Sequence, residues 1–161
     1  MAGPTIECSI PYFKRALEEL LRSIPILNAG QTVISWGNPH PNHWPREVVI
    51  IGDASNRIRT WTAGHTQATE EYDVVLKVNV TGNAINPSAD PQNRAWKLAN
   101  AIESALLEWV LSTTPFAEGD WGYVFDVDVS TASDQGGLDE TSRDATVTLT
   151  LHVKARVIRH G

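Results

Sequence analysis

The chain has one cysteine, Cys8, and one methionine in 161 residues. A single thiol excludes a disulfide framework and a cysteine-ligated zinc ribbon, and it makes a reducing compartment the expected one. Cys8 stands near the N-terminus without the flanking residues that mark catalytic cysteines, so it reads as an inert thiol. Long apolar runs are also missing: no window approaches the roughly 18 residues that a membrane-spanning helix needs. The opening MAGPTIECSIPYFKR has no basic region leading into an apolar stretch, and a soluble protein made in a cytoplasm is the expectation. Without a secretory signal, Asn79-Val80-Thr81 is an accidental match to the glycosylation sequon. Cations are in the minority, 13 Lys and Arg against 19 Asp and Glu, for a formal net charge of -6. Capture of nucleic acid depends on cations displacing counterions from phosphate, so this balance argues against it. Gly-x-Ser-x-Gly, a phosphate-binding glycine loop, a dinucleotide fingerprint and His-Glu-x-x-His are all absent, which leaves enzymatic readings little to stand on.

What is present suits one folded domain over residues 1–161. A chain of this length buries roughly 70% of its unfolded surface in a single core, and 42% hydrophobic residues supply one. In Pro11 to Ile24, PYFKRALEELLRSI, the residues Phe13, Ala16, Leu17, Leu20, Leu21 and Ile24 recur at helical spacing, with Pro25 as the stop. Gln31 to Trp36 and Arg46 to Ile51 read as two strands joined by a proline-shaped hairpin connection, GNPHPNHWP. The second of these is apolar on both faces, as a strand covered on both sides would be. The polar link Gly52 to Thr69 has little periodicity and reads as a long loop. Glu71 to Thr81 alternates cleanly as a third strand. Asp90-Pro91 then caps a helix running to about Leu111, with Ala95, Leu98, Ala99, Ile102, Leu106, Trp109 and Val110 on one side. Gly122 to Ser130 and Asp144 to Ile158 close the chain as a hairpin with a protruding acidic tip, TASDQGGLDETSR. Alternation places Tyr123, Phe125, Val127 and Val129 on one face of the first of these strands. The order α-β-β-β-α-β-β predicts an α/β (α+β) fold: a mainly antiparallel sheet of about five strands with two helices packed on one face.

The candidate chemistry is thin. His40-x-x-His43 is the best metal pair, but a catalytic zinc takes three protein ligands and a structural one four, and the neighbouring prolines make a shaped turn the simpler reading. A metal-dependent hydrolase would need His40, His43 and a carboxylate such as Asp53. Asp126-Val127-Asp128-Val129-Ser130 imitates a calcium loop, yet it has Thr131 and Gly137 where an EF-hand needs Gly and Glu. No catalytic residue, metal or cofactor is therefore expected.

Association surfaces have more to offer. Trp44, Trp61 and Trp121 lie in or beside predicted loops, where each either caps the core or anchors a partner. Arg57 and Arg59, flanking Ile58, suit a partner's acids or a neighbouring subunit, and equally a solvated loop. Lys154, Arg156 and Arg159 alternate on the last strand. The acidic segment Ser133 to Glu140, with Asp134, Asp139 and Glu140, is their complement across a subunit boundary, or both are ordinary surface charge.

The whole arrangement resembles the tail-terminator, or tail-completion, proteins of long-tailed bacteriophages, of the minor tail protein U type. The resemblance rests on PYFKRALEELLRSIP, EEYDVVLKVNVTG, DPQNRAWKLANAIESALLEWV, GYVFDVDVS and RDATVTLTLHVKARV, and covers nearly the full chain. It implies a non-enzymatic virion subunit, assembled in the host cytoplasm as a homo-oligomeric, usually hexameric, ring on the head-proximal end of the tail. Such a ring ends polymerisation of the tail-tube protein and presents a surface to the neck, or head-completion, protein. DNA would pass through it without specific binding, and no membrane is involved. A neck or head-completion protein is the alternative within virions.

Overall fold

The computed structural model describes residues 5–29, 32–81, 91–112, 117–139 and 142–160. The elements run β1 (Thr5–Ile6), α1 (Ser9–Ser23), β2 (Thr32–Trp36), β3 (Glu47–Trp61), β4 (Gln67–Thr81), α2 (Pro91–Leu111), β5 (Ala117–Gly119), β6 (Gly122–Asp139) and β7 (Ser142–His160). All seven predicted elements are present, and two short strands, β1 and β5, join them. The sheet order is β2-β3-β4-β7-β6-β5, with β1 pairing β7 off this path. No helix among the described residues is long and apolar enough to cross a membrane.

Strict alternation along the two middle strands divides the sheet into two faces. Tyr72, Val74, Leu76 and Val78 of β4 stand opposite Val153, Leu151, Leu149 and Val147 of β7. All are fully buried, in one cluster with Phe13, Leu17 and Leu21 of α1 and Leu98, Ile102 and Leu106 of α2. Both helices thus lie on this inner face, as their apolar stripes require. Pro91 opens α2 as expected, whereas Asp90 lies outside the described residues. Cys8 occupies the N-cap of α1 and makes no side-chain capping bond, so the helix start is satisfied from elsewhere in the fold.

Four expectations are corrected. First, β2 and β3 are parallel rather than a hairpin. The connection between them is long enough to return to the starting end. It folds through a 3-10 turn at Pro41–His43 and lies over the outer sheet face, where the Trp44 indole N–H donates to Asn79 Oδ1 at 3.0 Å. Val48 and Ile50 are consequently buried although they face away from the helices. Asn79 also donates to Thr146 Oγ1 at 2.8 Å, so the sequon asparagine is a structural tie.

Second, Gly52 to Thr69 is not a long loop. β3 continues to Trp61 and β4 begins at Gln67, leaving a short turn with left-handed Gly64 and His65 (φ 86° and 54°). Register shifts at Ile51/Ala54 and Ser55/Ile58 break the alternation by which a strand is recognised. Third, a register shift at Val124/Asp126 takes Tyr123 and Phe125 out of phase with Val127. Val124 is buried, whereas Tyr123 and Phe125 are exposed and pack edge to face at 6.3 Å. Fourth, the expected acidic tip is mostly ladder, because β6 and β7 stay paired out to Asp139 opposite Ser142. Strands of 18 and 19 residues make this hairpin about 60 Å long at about 3.3 Å per residue.

Gly122 is required where β6 begins. Its φ is 136°, and a Cβ there would lie 1.8 Å from the Arg156 carbonyl oxygen. Gly122→Ala is expected to cost about 3 kcal/mol or more, since both strain and a backbone clash oppose it; the urea unfolding midpoint checks this.

Candidate functional site

One inner-face position of β4 breaks the apolar phase. Glu70 stands between Ala68 and Tyr72, and it is fully buried. Its Oε1 accepts from the Ser9 backbone N–H at 3.0 Å and from the Ser9 hydroxyl at 2.6 Å. Glu70 therefore supplies the N-terminal cap that Cys8 does not, and sets an anion against the positive end of the α1 dipole. Its Oε2 accepts from Arg57 Nε at 3.0 Å and from Arg59 Nη2 at 2.6 Å. Burial alone would raise the Glu70 carboxyl, but the Ser9 hydroxyl and Arg59, followed by Ser9 N–H and Arg57, hold it below its ordinary value. The Tyr72 hydroxyl lies 3.0 Å from Ser9 Oγ; burial pushes this phenol up, so it remains protonated. Burial likewise raises the Cys8 thiol, in keeping with an inert cysteine.

Arg57 and Arg59 are therefore not simply loop cations awaiting a partner, because both tie the β3–β4 hairpin to α1 through Glu70. Their arrangement still leaves an excess of positive charge, with two guanidiniums sharing one carboxylate. The Arg57 side chain is 42% exposed and that of Arg59 20%. The sequence signal for this cluster is Glu70 itself, a carboxylate in the apolar phase of QATEEYDVV. It becomes visible only once the strand is taken to start at Gln67.

The outer face carries a second charged group. His152 Nδ1 lies 2.9 Å from Asp73 Oδ1 and its Nε2 3.4 Å from Glu71 Oε2. Asp128 of β6 is only its register neighbour on the other side. Lys154, the next outward residue of β7, stands between Glu71 and Asp126 in register. Asp73 is held below its ordinary value, first by the Asn56 amide and then by His152. The hydrogen bond that His152 donates to Asp73 raises the His152 pKa above its ordinary value despite partial burial.

The remaining candidate residues are dispersed. Trp44 lies on the outer face against Asn79, and Trp61 packs edge to face on His65 at the β3–β4 turn. Arg156 donates to Gln67 Oε1 at 3.4 Å. Asp134 accepts from Gln92 Nε2 at 2.6 Å and Trp96 Nε1 at 3.0 Å, tying β6 to α2. Glu140 and the side chain of Asp139 lie outside the described residues. Asp134 pairs in register with Val147 while Lys154 pairs with Asp126, a separation of about 25 Å along the strand. Within one chain Asp134 of the tip and Lys154 of the base therefore do not meet. His40 and His43 sit in the 3-10 turn, where His40 Nδ1 accepts from Asn42 N–H. Among the described residues no group of three or more His, Cys, Asp or Glu is placed to hold a metal ion.

No protein-family model matches the chain, and no curated protein does. Among solved structures, the fold matches a chain from the "Virion of native gene transfer agent (GTA) particle" with TM-score 0.59 and 15% sequence identity. The match covers 91% of this chain and 98% of that one.

Glu70→Gln keeps the shape and removes the anion, and is expected to cost about 3 kcal/mol because the two arginines lose their buried counter-charge. Arg59→Met should cost more than Arg57→Met, in the order of their burial; denaturant unfolding of the three variants checks both points. For His152 the folded pKa is raised, so its contribution is complete below 6.5 and is lost as pH rises through the folded value. Unfolding midpoints measured across that window should fall for the parent protein and change less for His152→Gln.

Proposed function

We propose that this chain is a structural subunit of a tailed, phage-type virion and, more specifically, a tail terminator. In this reading six copies form a ring on the head-proximal end of the tail tube. The ring covers the surface on which another tube ring would add, and offers its opposite side to the neck protein. Its role is geometric and requires no catalytic group, metal or cofactor. The formal charge of -6 suits a ring through which DNA passes without being held.

The observation that carries this reading is the fold likeness to a chain of a gene transfer agent virion, end to end in both proteins. One feature of the chain agrees with it. The exposed aromatics Trp36, Trp44, Trp61, Tyr123 and Phe125 are spread over several flanks of the sheet, which suits a subunit with several neighbours.

Mass measurement and negative-stain imaging of the purified chain, alone and with tail-tube protein, test the proposal. Rings that bind tube ends and halt elongation are expected. A strictly monomeric species at high concentration, with tube protein present, would sink it. Rings that bind the neck protein and ignore the tube would assign the chain to the neck.

A further inference from the structure

The two flanks of the sheet are incompletely covered. β5 pairs only with Gly122 to Val124 of β6, so from Phe125 to Asp139 no described strand lies on the far side of β6. β2 pairs only with Glu47 to Ile51 of β3, and from Gly52 to Trp61 the far side of β3 is likewise without a described strand. Each flank is a row of backbone N–H and C=O groups of the kind that accepts another strand. Successive strands β3, β4, β7 and β6 are antiparallel at every step. A second copy in the same orientation, set beside β6, therefore presents its β3 antiparallel to it.

The side chains at the two flanks match. Ile58, Glu71, Lys154 and Asp126 are successive register partners across the sheet, as are Ser55, Asp73, His152 and Asp128. At one end of these rows Ile58 is 61% exposed, and at the other Phe125, beside Asp126, is 46% exposed. Asp126 and Asp128 make no ion pair among the described residues, whereas Arg57 and Arg59 share the single carboxylate of Glu70. On the outer face the β6 flank is thus apolar and acidic, whereas the β3 flank presents Ile58 and Ser55 there, because Arg57 and Arg59 turn to Glu70 on the inner face. Two-fold pairing of β6 with β6 would instead set the same aspartates against each other, which disfavours it.

We infer that the free edge of β6 takes the outer half of β3 from a second copy of this chain, so that the sheet continues from subunit to subunit. Phe125 then meets Ile58 on the outer face, and the β6 aspartates fall opposite Ile58 and Ser55 rather than opposite acids. The two edges differ, so the contact is head-to-tail and closes into a ring when its rotation closes. The register shifts on both edges bend and twist them locally, which favours a partner edge of matching shape over indiscriminate pairing. This inference rests on the ring reading above and specifies the contact that would build the ring.

Cysteine cross-linking in a Cys8→Ser background tests it. One set of variants carries Ser55→Cys, Ile58→Cys or Thr60→Cys, and the other Phe125→Cys, Asp128→Cys or Ser133→Cys. All six positions are exposed, and three on each edge allow for the offset that a curling sheet introduces. Members of the two sets are mixed pairwise, incubated with tail-tube protein, oxidised gently and run on non-reducing gels. A covalent dimer is expected in at least one mixture and in none of the single-variant samples. Dimers from Phe125→Cys or Asp128→Cys alone would overturn the inference in favour of two-fold pairing. Rings seen by imaging with no cross-link in any mixture would overturn the edge contact and leave the ring reading standing. Failure of the parent chain to assemble under any of these conditions would overturn both.

Discussion

The pairing of β4 with β7 is the constraint on which the other elements depend. Its register runs without a shift from Gln67 opposite Ile158 to Thr81 opposite Asp144, the longest uninterrupted ladder in the sheet. Strict alternation along it fixes which side chains enter the core and which meet solvent. The helices cover the inner face because only there do Tyr72, Leu76, Leu149 and Val153 provide an apolar surface. The irregularities are displaced to the outer strands: β3 and β6 both shift register, while the two strands between them do not. A regular centre with irregular flanks is the character of the sheet.

Apolar alternation alone does not specify that register completely. A one-residue slip would invert the faces, but a two-residue slip would keep every apolar residue inward. Glu70 removes this freedom. Its carboxylate is buried, and the donors that satisfy it come from the start of α1 and from two positions of β3. Moving β4 by two residues would put the charge beneath groups that cannot bind it, at a cost of several kcal/mol. A residue that looks unfavourable in a core strand thus fixes the alignment of a helix and a hairpin at once.

The parts of this fold legible in the sequence are those where one periodicity holds over a whole element. α1, α2, β4 and β7 each keep their period, and their burial follows it: Phe13, Leu17 and Leu21 in one helix, Val147, Leu149, Leu151 and Val153 in the last strand. β3 beyond Gly52 was not legible, since two shifts within a few residues leave no alternation to detect and Asn56 takes a positive φ. The parallel direction of β2 was hidden by its connection, whose prolines announce a bend but not the path after it. Of the candidate surface, the charges of β7 were readable as an outward row. The internal engagements of Arg57, Arg59, Asp134 and Trp44 were not, because each partner lies far along the chain, Glu70, Gln92, Trp96 or Asn79.

Exposed strand edges are ordinarily a hazard, and the devices that blunt them are visible here. β6 carries a register shift at each of two places, Val124/Asp126 and Val129/Thr131, and aspartates between them. β3 carries two shifts and a pair of arginines. Shifts and like charges discourage an edge from pairing with a copy of itself. They do not discourage pairing between these two edges, whose exposed apolar residues Ile58 and Phe125 fall at or beside one row of register partners. Aspartates on one edge alone protect against symmetric pairing of that edge while leaving a contact between unlike edges open.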